Sequence, residues 1–228
     1  MMEFTFLMPC LNESETLAFA INEAKSAIER LKLDAEILIS DNGSTDNSAE
    51  IAKENGAEVT YVKERGYGAA LIGGINAAKG KFIIMGDCDG SYDFANPDLF
   101  IEELRKGAKL VMGDRFKGGI EKGAMPLSHK IGVPFLSALA RWRFKTDIRD
   151  FHCGIRGLER EMALKLDFAC RGMEFATEMI AKFSESGAKI VQIPTPLRCD
   201  KRSGKPHLRT VRDGFRHLKY ILFRRNEQ

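Results

Sequence analysis

Short apolar runs alternate with amphipathic stretches through the first half of the chain, and this alternation predicts strands separated by helices. The predicted strands cover residues 4–8, 36–40, 58–62, 81–85 and 110–112. The predicted helices cover residues 16–33, 45–56, 68–78 and 96–106. We expect Ser44 or Thr45 to cap the second helix and Gly56 to end it, because glycine readily adopts the left-handed conformation that follows many helices. This order of elements is typical of a parallel sheet.

The second half of the chain is less regular. We predict helices at residues 133–144 and 174–186, a strand near residues 151–158 and another at residues 189–193. No linker rich in Pro, Gly or Ser divides the chain. The pattern therefore predicts one α/β domain over residues 1–197, with a basic extension over residues 198–228 that belongs to the same unit.

The extension combines positive charge with helical periodicity. Residues 198–228 contain ten Lys or Arg against three acids. Its apolar residues recur at steps of three and four, which places them on one helical face: Leu208, Val211, Phe215, Leu218 and Leu222. The basic residues beside this stripe are Arg209, Arg212, Arg216 and Lys219. Such a helix suits an anionic membrane surface; alternatively, the stripe packs on the domain and the cations are solvated.

Size and composition argue against several classes of protein. The 228 residues are 44% hydrophobic, which is enough for a core, so we do not expect a disordered chain. A net charge of +3, from 35 basic and 32 acidic residues, does not favour nucleic-acid binding. Five separated cysteines without a CxxC pair suggest neither a disulfide framework nor a zinc site. No apolar run approaches the roughly 20 residues that cross a bilayer, so we expect a soluble or peripheral protein of the reducing cytosol.

The histidines and the single tryptophan show no motif. We expect ordinary hydrogen-bonding or surface roles for the histidines, since no shared spacing relates them: they are His129, His152, His207 and His217. Trp142 and the phenylalanines at helical steps are expected in the core rather than as a platform for a sugar.

Polar residues follow three of the predicted strands. In parallel sheets, ligands bind at the carboxyl ends of the strands. The three segments are Pro9-Cys10-Leu11-Asn12-Glu13, Asp41-Asn42-Gly43-Ser44-Thr45-Asp46 and Asp87-Cys88-Asp89-Gly90-Ser91. Neither a GxGxxG nor a GxxxxGKS loop follows the first strand, so nothing supports an ordinary dinucleotide or Walker site. Arg65 and Gly66, at the start of a helix, form a weaker candidate for an anion contact.

Asp87 and Asp89 are the strongest candidates for chemistry. Two carboxylates at positions i and i+2 beyond a buried strand can converge on a hard divalent cation, or they can divide between a cation and the hydroxyl groups of a ligand. A cation there would neutralise a diphosphate. An isolated pair of this kind more often caps the following turn. Here two further acidic strand ends would share the same edge, and three carboxylate clusters repel one another unless a cation compensates them. We therefore predict a divalent cation held by Asp87 and Asp89.

The motifs MPCLNE, SDNGSTD, RGYG and DCD, at residues 8–13, 40–46, 65–68 and 87–89, resemble glycosyltransferase family 2 with the GT-A fold. Three later segments, GDRFKGG, DFHCGIR and RSGK at residues 113–119, 150–156 and 202–205, more loosely resemble polyprenyl-phosphate sugar synthases of the dolichyl-phosphate mannose synthase type. The resemblance implies a Rossmann-like, mainly parallel central sheet flanked by helices. It also implies transfer of a hexose from a GDP-mannose or UDP-glucose type donor to a polyprenyl phosphate.

Carried over by position, the resemblance implies contacts for each substrate. The nucleotide sugar would be bound by Pro9, Asn12, Glu13, Asp41, Ser44, Arg65, Gly66 and Asp87. The metal, Mg²⁺ or Mn²⁺, would be held by Asp87, Asp89 and Ser91. The acceptor phosphate would be bound by Arg115, Lys130, Arg202 and Lys205. Asp87, Asp89 and Arg115 form the expected catalytic set. Asn42 departs from the commoner Asp-Asp pair, which leaves Asp41 for the base or the ribose.

The expected chemistry follows from charge. Cleavage of the bond between sugar and phosphate builds negative charge on the leaving diphosphate, which a bound dication stabilises. An acceptor phosphate, whose second pKa is about 6, is already ionised at neutral pH and needs no strong general base. We therefore expect a single displacement with inversion at the anomeric carbon.

Two alternatives stay open at this point. A family 2 transferase with a sugar hydroxyl acceptor would need a general base, for which Asp150 is a candidate. A catalytically silent nucleotide-sugar binding protein is the second alternative, which the carboxylates of Asp41, Asp87 and Asp89 do not favour. We expect a cytoplasmic enzyme, at most peripheral on the membrane face, where a membrane protein could assist it; no nucleic-acid partner is expected.

Overall fold

The structure is a computed structural model that describes residues 2–203 and 210–223. In these ranges the strands are β1 Phe4–Cys10, β2 Ala35–Asp41, β3 Glu58–Tyr61, β4 Phe82–Met85, β5 Leu110–Asp114, β6 Arg156–Glu159 and β7 Ile190–Pro194. The helices are α1 Leu17–Leu31, α2 Ser48–Glu54, α3 Tyr67–Ala77, α4 Asp98–Arg105, α5 Arg115–Gly118, α6 Leu127–Phe144, α7 Arg160–Lys165, α8 Phe175–Glu185 and α9 Thr210–Phe223. Gly56, just beyond α2, has a φ of +67°, as its predicted helix-ending role requires.

The strands of the described ranges form one seven-stranded sheet in the order β3-β2-β1-β4-β6-β5-β7. Strand β6 runs antiparallel to β4 and β5, and the other paired strands are parallel. The predicted mainly parallel sheet flanked by helices is therefore confirmed. The carboxyl ends of β1, β2, β4 and β5 lie at one edge, where Cys10 is opposite Asp41. Because β6 is reversed, the segment that precedes it reaches this same edge.

Helices cover the sheet on both faces, which explains why its central strands are apolar at successive positions. On β1, Phe4, Phe6 and Met8 belong to the core on one face, and Leu7 belongs to the core on the other. Side chains alternate between the faces along a strand, so both cores need apolar residues. Full burial of each such side chain contributes about 1.5–3 kcal/mol. The sheet is thus a rigid support for the polar turns at its edge.

Helix α2 begins at Ser48, later than the local pattern predicts. The expected caps, Ser44 and Thr45, are engaged by Asn12 instead. The Asn12 amide donates to Ser44 Oγ at 3.0 Å, and the Thr45 amide donates to Asn12 Oδ1 at 2.7 Å. The N-cap residue is Asn47, whose side chain makes no capping bond, and Asp46 Oδ1 accepts from the Ser48 amide at 3.0 Å. A contact from a distant turn thus overrides the local capping signal.

Helices α6 and α9 expose apolar side chains that periodicity assigns to the core. Trp142 is 75% exposed. The other exposed apolar residues are Leu127, Ile131 and Phe135 on α6 and Phe215, Leu222 and Phe223 on α9. The expectation of a core position is therefore wrong for Trp142, Phe135 and Phe215. Periodicity identifies a helix face but does not say which face is covered.

Helix α9 packs through a partly polar face. Asp213, His217 and Ile221, at steps of four, are 3%, 5% and 0% exposed. Phe215 and Leu222 of the predicted apolar stripe are exposed, whereas Leu218 is half-buried. The interpretation in which the stripe packs on the domain is therefore wrong for Phe215 and Leu222. Leu208, Arg209 and the side chain of Val211 lie outside what the structure describes. Among the described helices, none is both long and apolar enough to span a membrane.

Candidate active site

Asp41 ends β2 with one carboxylate oxygen bonded and the other available to a ligand. The residue is 3% exposed. Its Oδ1 accepts from the amides of Gly43 and Ser44 at 2.9 and 3.1 Å. Its Oδ2 is buried and has no hydrogen-bond partner within residues 2–203 and 210–223. A buried acceptor without a donor is costly, so this oxygen suits a ligand that brings a hydroxyl or amino group.

The β1–α1 turn lies against the β2–α2 turn. Asn12 adopts a left-handed φ of +56°, and its bonds to Ser44 and Thr45 hold the two turns together. The carbonyl of Pro9 accepts from Cys88 Sγ at 3.4 Å, which links β1 to the turn after β4. The predicted donor contacts Pro9, Asn12 and Ser44 therefore lie at one edge, where Asn12 and Ser44 also shape the turns.

Asn42 connects the β2 turn to the segment before α3. Its Nδ2 donates to the carbonyls of Val62 and Glu64 at 3.1 and 2.7 Å, and its Oδ1 accepts from the Gly66 amide at 2.8 Å. An ionised aspartate has no proton to donate to these carbonyls. The local fold thus explains an amide at this position.

Arg65 and Gly66 have structural roles beside Asp41. Arg65 Nη1 donates to the carbonyls of Asn42 and Gly43 at 2.9 and 3.2 Å. Gly66 has a φ of +137°, and a Cβ there would lie 2.1 Å from the Arg171 carbonyl oxygen. Only glycine fits such a position. Both residues therefore fix the backbone next to Asp41. Their contact with a donor stays a prediction.

The Asp87-Cys88-Asp89 turn follows β4 and packs against the segment before β6. Asp87 hydrogen-bonds to Tyr67, and a Cβ at Gly154 would lie 2.6 Å from Asp87 Oδ2. Asp89 Oδ1 accepts from the amide and the hydroxyl of Ser91 at 2.9 and 2.6 Å. Ser91 therefore supports Asp89 in this structure, and its role as a metal ligand stays a prediction.

The guanidinium of Arg202 lies inside the acidic cluster that the strand ends form. Nη1 is 2.9 Å from Glu13 Oε1, and Nη2 is 3.1 Å from Asp89 Oδ2. Nε and Nη2 also donate to the carboxylate of Asp200. The amide of Lys201 donates to the Asp89 carbonyl at 2.9 Å, so the backbone holds the segment here too. Arg202, predicted beside the acceptor phosphate, thus lies among the strand-end carboxylates and partly compensates their charge.

Burial and repulsion shift the acidities in this cluster. Burial raises the pKa of Glu13 to about 7, although Arg202 opposes the shift. Burial, reinforced by the charge of Asp89, raises the pKa of Asp87 to about 6. Burial lowers the pKa of Arg202, but hydrogen bonds and charges from its three carboxylate partners outweigh this effect and raise it. The cluster therefore favours a bound positive charge.

Arg115, the first residue after β5, forms a buried ion pair with Asp150. Its Nε and Nη2 lie 2.7 and 2.8 Å from the two oxygens of Asp150, a residue that is 0% exposed. The two parallel bonds fix the plane of the guanidinium and leave Nη1 outside the pair. Lys130, the predicted helper, is exposed on α6. Lys205 lies outside the described residues.

Arg156 is a functional candidate that sequence reasoning missed. It is 1% exposed, and its guanidinium donates to the carbonyls of Phe151, Cys153 and Ala176 at 3.1, 3.0 and 2.9 Å. Its charge also acts to lower the pKa of Asp87, against the larger effect of burial. The signal was present as the last residue of the DFHCGIR segment, but an arginine inside a strand gives no indication of burial.

A model of the family described as glycosyl transferase family 2 matches residues 5–166 of the chain. The chain belongs to glycosyltransferase family 2. The strand-end carboxylates of this family 2 domain all lie within the matched residues, whereas Asp200 and Arg202 follow them. The match therefore agrees with the predicted family.

Two curated relatives of this family 2 chain come from Haloferax volcanii. The low-salt glycan biosynthesis hexosyltransferase Agl6 is 36% identical over 219 residues, which cover 95% of this chain and 52% of the relative. The chain thus spans about half the length of that protein. A dolichyl-phosphate hexose transferase is 26% identical over 213 residues, which cover 91% of this chain and 90% of the relative.

Solved structures show the same fold. Glucosyl-3-phosphoglycerate synthase from Mycobacterium tuberculosis, in complex with Mn²⁺, uridine-diphosphate-glucose and phosphoglyceric acid, superposes with a TM-score of 0.73. It is 22% identical, and the match covers 96% of this chain and 79% of that one. At this identity the likeness supports the GT-A fold alone.

The carboxylates of this family 2 domain fit a divalent cation that shares its coordination with a diphosphate. In the described parts of the chain, no group of three or more His, Cys, Asp or Glu side chains is arranged to hold a metal ion. Mg²⁺ at phosphate sites needs only one or two carboxylates, because phosphate oxygens and water complete its shell. Asp87 and Asp89 are suitable metal ligands. The guanidinium of Arg202 already places a positive charge beside Asp89.

Proposed function

We propose that this family 2 enzyme moves a hexose from a nucleotide diphosphate sugar to a polyprenyl phosphate at a membrane surface, with inversion at the anomeric carbon. The observation that carries the proposal is the acidic cluster at the sheet edge, in which Glu13 and Asp89 share the single guanidinium of Arg202. A cluster that requires a cation suits the diphosphate of a donor together with Mg²⁺ or Mn²⁺.

The donor is oriented by groups along the edge. Asp41 Oδ2, which has no hydrogen-bond partner in the described residues, would accept a hydrogen bond from the base or the ribose. Asp87 and Asp89 would hold the metal at the diphosphate, with Ser91 as a supporting ligand. When bound, the dication stabilises the charge that develops on the leaving diphosphate. Pro9 and Glu13 would line the same nucleotide pocket.

The acceptor phosphate is proposed to approach Arg115. Asp150 holds the guanidinium in one orientation, so that it can attract the phosphate without reorganisation. A phosphate oxygen then forms a bond to the anomeric carbon as the bond from that carbon to the diphosphate oxygen breaks. The ionised phosphate needs no proton acceptor at neutral pH. Attack opposite the leaving group inverts the anomeric configuration.

Helices α6 and α9 support a lipid acceptor rather than a water-soluble one. They are in contact, with the rings of Phe144 and Tyr220 6.4 Å apart, and both expose large apolar side chains, such as Trp142 and Phe215. The exposed cations on these helices are Lys130, Arg212, Arg216 and Lys219. Exposed apolar groups beside basic ones suit an anionic bilayer surface. The dolichyl-phosphate hexose transferase relative agrees with such an acceptor.

The alternative with a hydroxyl acceptor is less favoured by the geometry around Asp150. Both of its oxygens accept from the Arg115 guanidinium, and the Arg115 and His152 amides add further bonds. Both carboxylate oxygens are therefore already occupied by donors. A hydroxyl acceptor would therefore need a general base from elsewhere, whereas a phosphate acceptor needs none.

The test is an assay with Mn²⁺, a panel of nucleotide sugars, and either undecaprenyl or dolichyl phosphate in anionic vesicles. We expect a glycolipid, detected by mass spectrometry, whose anomeric configuration by proton NMR is opposite to that of the donor. Addition of EDTA should abolish the product. Turnover only with sugar hydroxyl acceptors, or donor binding with no turnover on any acceptor, would overturn the proposal, and a retained anomeric configuration would exclude the single displacement.

A further inference from the structure

A cavity of about 210 Å³ lies behind Asp87. Its walls come from the start of α3, from α6, α8 and α9, and from the segment before β6. Its polar lining includes Asp87, Arg115, His129, His152, Arg156 and His217. Asp87 thus joins the cavity to the turn that we propose for the diphosphate, so a group inside it would be attached to, or adjacent to, that diphosphate.

The charged side chains of the lining are of both signs, with Asp87 and Asp213 acidic and Arg115 and Arg156 basic. The Arg115 guanidinium is compensated by Asp150. Burial lowers the pKa of His152 well below its usual range and lowers that of His217 to about 4. Both imidazoles are therefore neutral at physiological pH, and each can offer one donor and one acceptor. Neutral groups of this kind suit the hydroxyl groups of an uncharged ligand.

His152 lacks the partner that a buried imidazole requires. Both of its ring nitrogens are shielded from solvent, and neither has a hydrogen-bond partner in the described part of the chain. Its ring lies edge-on to that of His217, with 4.4 Å between centroids. His217 is itself held by Thr177, whose Oγ1 is 2.8 Å from Nδ1. A fixed neighbour thus orients His152, while its own hydrogen-bonding capacity is left for a ligand.

The size and the apolar part of the lining narrow the class of ligand. Its volume of about 210 Å³ lies below the roughly 300–1,000 Å³ of most ligand pockets, so it is small for a nucleoside diphosphate. Val133, Leu136 and Met173 supply the apolar part of the lining. A pyranose ring has apolar C–H faces and a rim of hydroxyl groups, so it matches both kinds of surface.

We propose that this cavity takes the hexose of the donor and that His152 is a specificity-determining residue that hydrogen-bonds one of its hydroxyl groups. This inference rests on the proposed function, because it is the diphosphate at Asp87 that would place the attached sugar here. His217 acts as a positioning residue that holds the ring of His152.

The test compares His152→Phe with His152→Gln, since phenylalanine keeps a planar ring without nitrogens and glutamine keeps a donor and an acceptor. Calorimetry with Mn²⁺ measures binding of the nucleoside diphosphate alone and of the corresponding nucleotide sugar. In the phenylalanine variant we expect diphosphate binding within about twofold of wild type and nucleotide-sugar binding about tenfold weaker, the effect of one lost hydrogen bond. The glutamine variant should recover most of this loss.

Discrimination between hexose epimers gives a second readout. A site that hydrogen-bonds a hydroxyl rejects analogues that misplace it, so the ratio of kcat/KM for two epimeric donors should fall towards one in His152→Phe. An equal loss of diphosphate and nucleotide-sugar binding, an unchanged epimer ratio, or a rise confined to the KM of the acceptor would overturn the inference and leave the proposed function intact. Wild-type protein that binds no nucleotide sugar would overturn both. Melting temperatures of the variants show whether a loss reflects unfolding.

Discussion

Arg202 Nη2 lies 3.1 Å from Asp89 Oδ2, although 113 residues separate the two in sequence. The same guanidinium reaches Glu13 and Asp200, so one side chain contacts three carboxylates. A guanidinium and a divalent cation seek the same oxygens. A divalent cation bound at Asp89 would therefore compete with the guanidinium of Arg202.

Replacement of Asp89 should abolish metal-dependent donor binding. In Asp89→Ala, the loss of a charged ligand to the cation should weaken Mn²⁺-dependent binding of a nucleoside diphosphate by at least about tenfold, measured by calorimetry. Asp98→Ala is the matched control, because Asp98 pairs with Arg30 on the surface. Unchanged affinity in Asp89→Ala would contradict the assignment of Asp89 to the metal.

Replacement of Arg202 should increase the affinity of the protein for Mn²⁺ in the absence of a nucleotide. Arg202→Gln removes the competing guanidinium, so we expect Mn²⁺ alone to bind about three- to tenfold more tightly, measured by electron paramagnetic resonance of free Mn²⁺. Arg198→Gln serves as the control, since Arg198 pairs with Glu23 and Asp93 instead. Weaker Mn²⁺ binding in Arg202→Gln would show that the two cations do not compete.

An acid at position 42 should destabilise the domain. Asn42→Asp turns two donated hydrogen bonds into contacts between a carboxylate and the carbonyls of Val62 and Glu64. We expect a cost of about 1–3 kcal/mol in the free energy of unfolding, measured with urea. Asn55→Asp, which affects a single bond to the Ile51 carbonyl, should cost less. An equal loss of stability at the two positions would argue that the hydrogen bonds of Asn42 to the segment before α3 do not stabilise the domain.

Acidification should loosen the packing of α9 through His217. Burial lowers its folded-state pKa to about 4, whereas the unfolded chain takes up the proton near pH 6.5. Between these values the unfolded state binds more protons, so stability falls as the pH decreases. The contribution of His217 between pH 7 and 5 is about 2 kcal/mol.

Urea unfolding of wild type and His217→Gln at both pH values measures this contribution. Glutamine can still bond to Thr177 but does not titrate, so the variant should lose less stability on acidification. His152 has a lowered pKa for the same reason, so part of the pH dependence should persist. Identical pH dependence of the unfolding free energy in the two proteins would mean that protonation of His217 does not contribute to it.

Removal of exposed apolar groups from α6 and α9 should weaken attachment to membranes. The double substitution Trp142→Gln and Phe215→Gln should lower the affinity for anionic vesicles by at least about tenfold in a sedimentation assay. Melting should be unchanged, because both side chains face solvent. Tyr61→Gln, on strand β3 and 60% exposed, is the control. Equal vesicle binding by wild type and double variant would argue against a membrane role for these helices.

The edge of the sheet could be predicted because parallel strands point their carboxyl ends the same way. Asp41, Asp87 and Asp89 follow apolar runs that only a buried strand explains, so their meeting at one edge required no tertiary information. The register of β1 against β2 then places the ends of both strands side by side. This part of the candidate site depends on local pattern and on a general rule of topology.

The remaining contacts depend on the path of the chain after β5. Arg156 lies at this edge of the sheet because β6 runs antiparallel to β4 and β5. An apolar run in the sequence does not indicate whether its strand will pair parallel or antiparallel. The position of Arg202 depends on the turn after β7, which follows from contacts with Asp89 and Glu13 rather than from its own residues. The exposure of Trp142 was missed because a helix with apolar groups on several sides can pack through any of them.

The contact between Glu13 and Arg202 spans 189 positions in sequence, and this separation has a consequence for synthesis. Strands β1, β2 and β4 emerge from the ribosome long before residue 202 does, so the early part of the domain can assemble while its carboxylates still repel one another. We therefore expect the nascent chain to gain the stability of this contact only after residue 202 has emerged. Mg²⁺ in the cell could occupy the cluster during that interval and protect the partly made domain from unfolding.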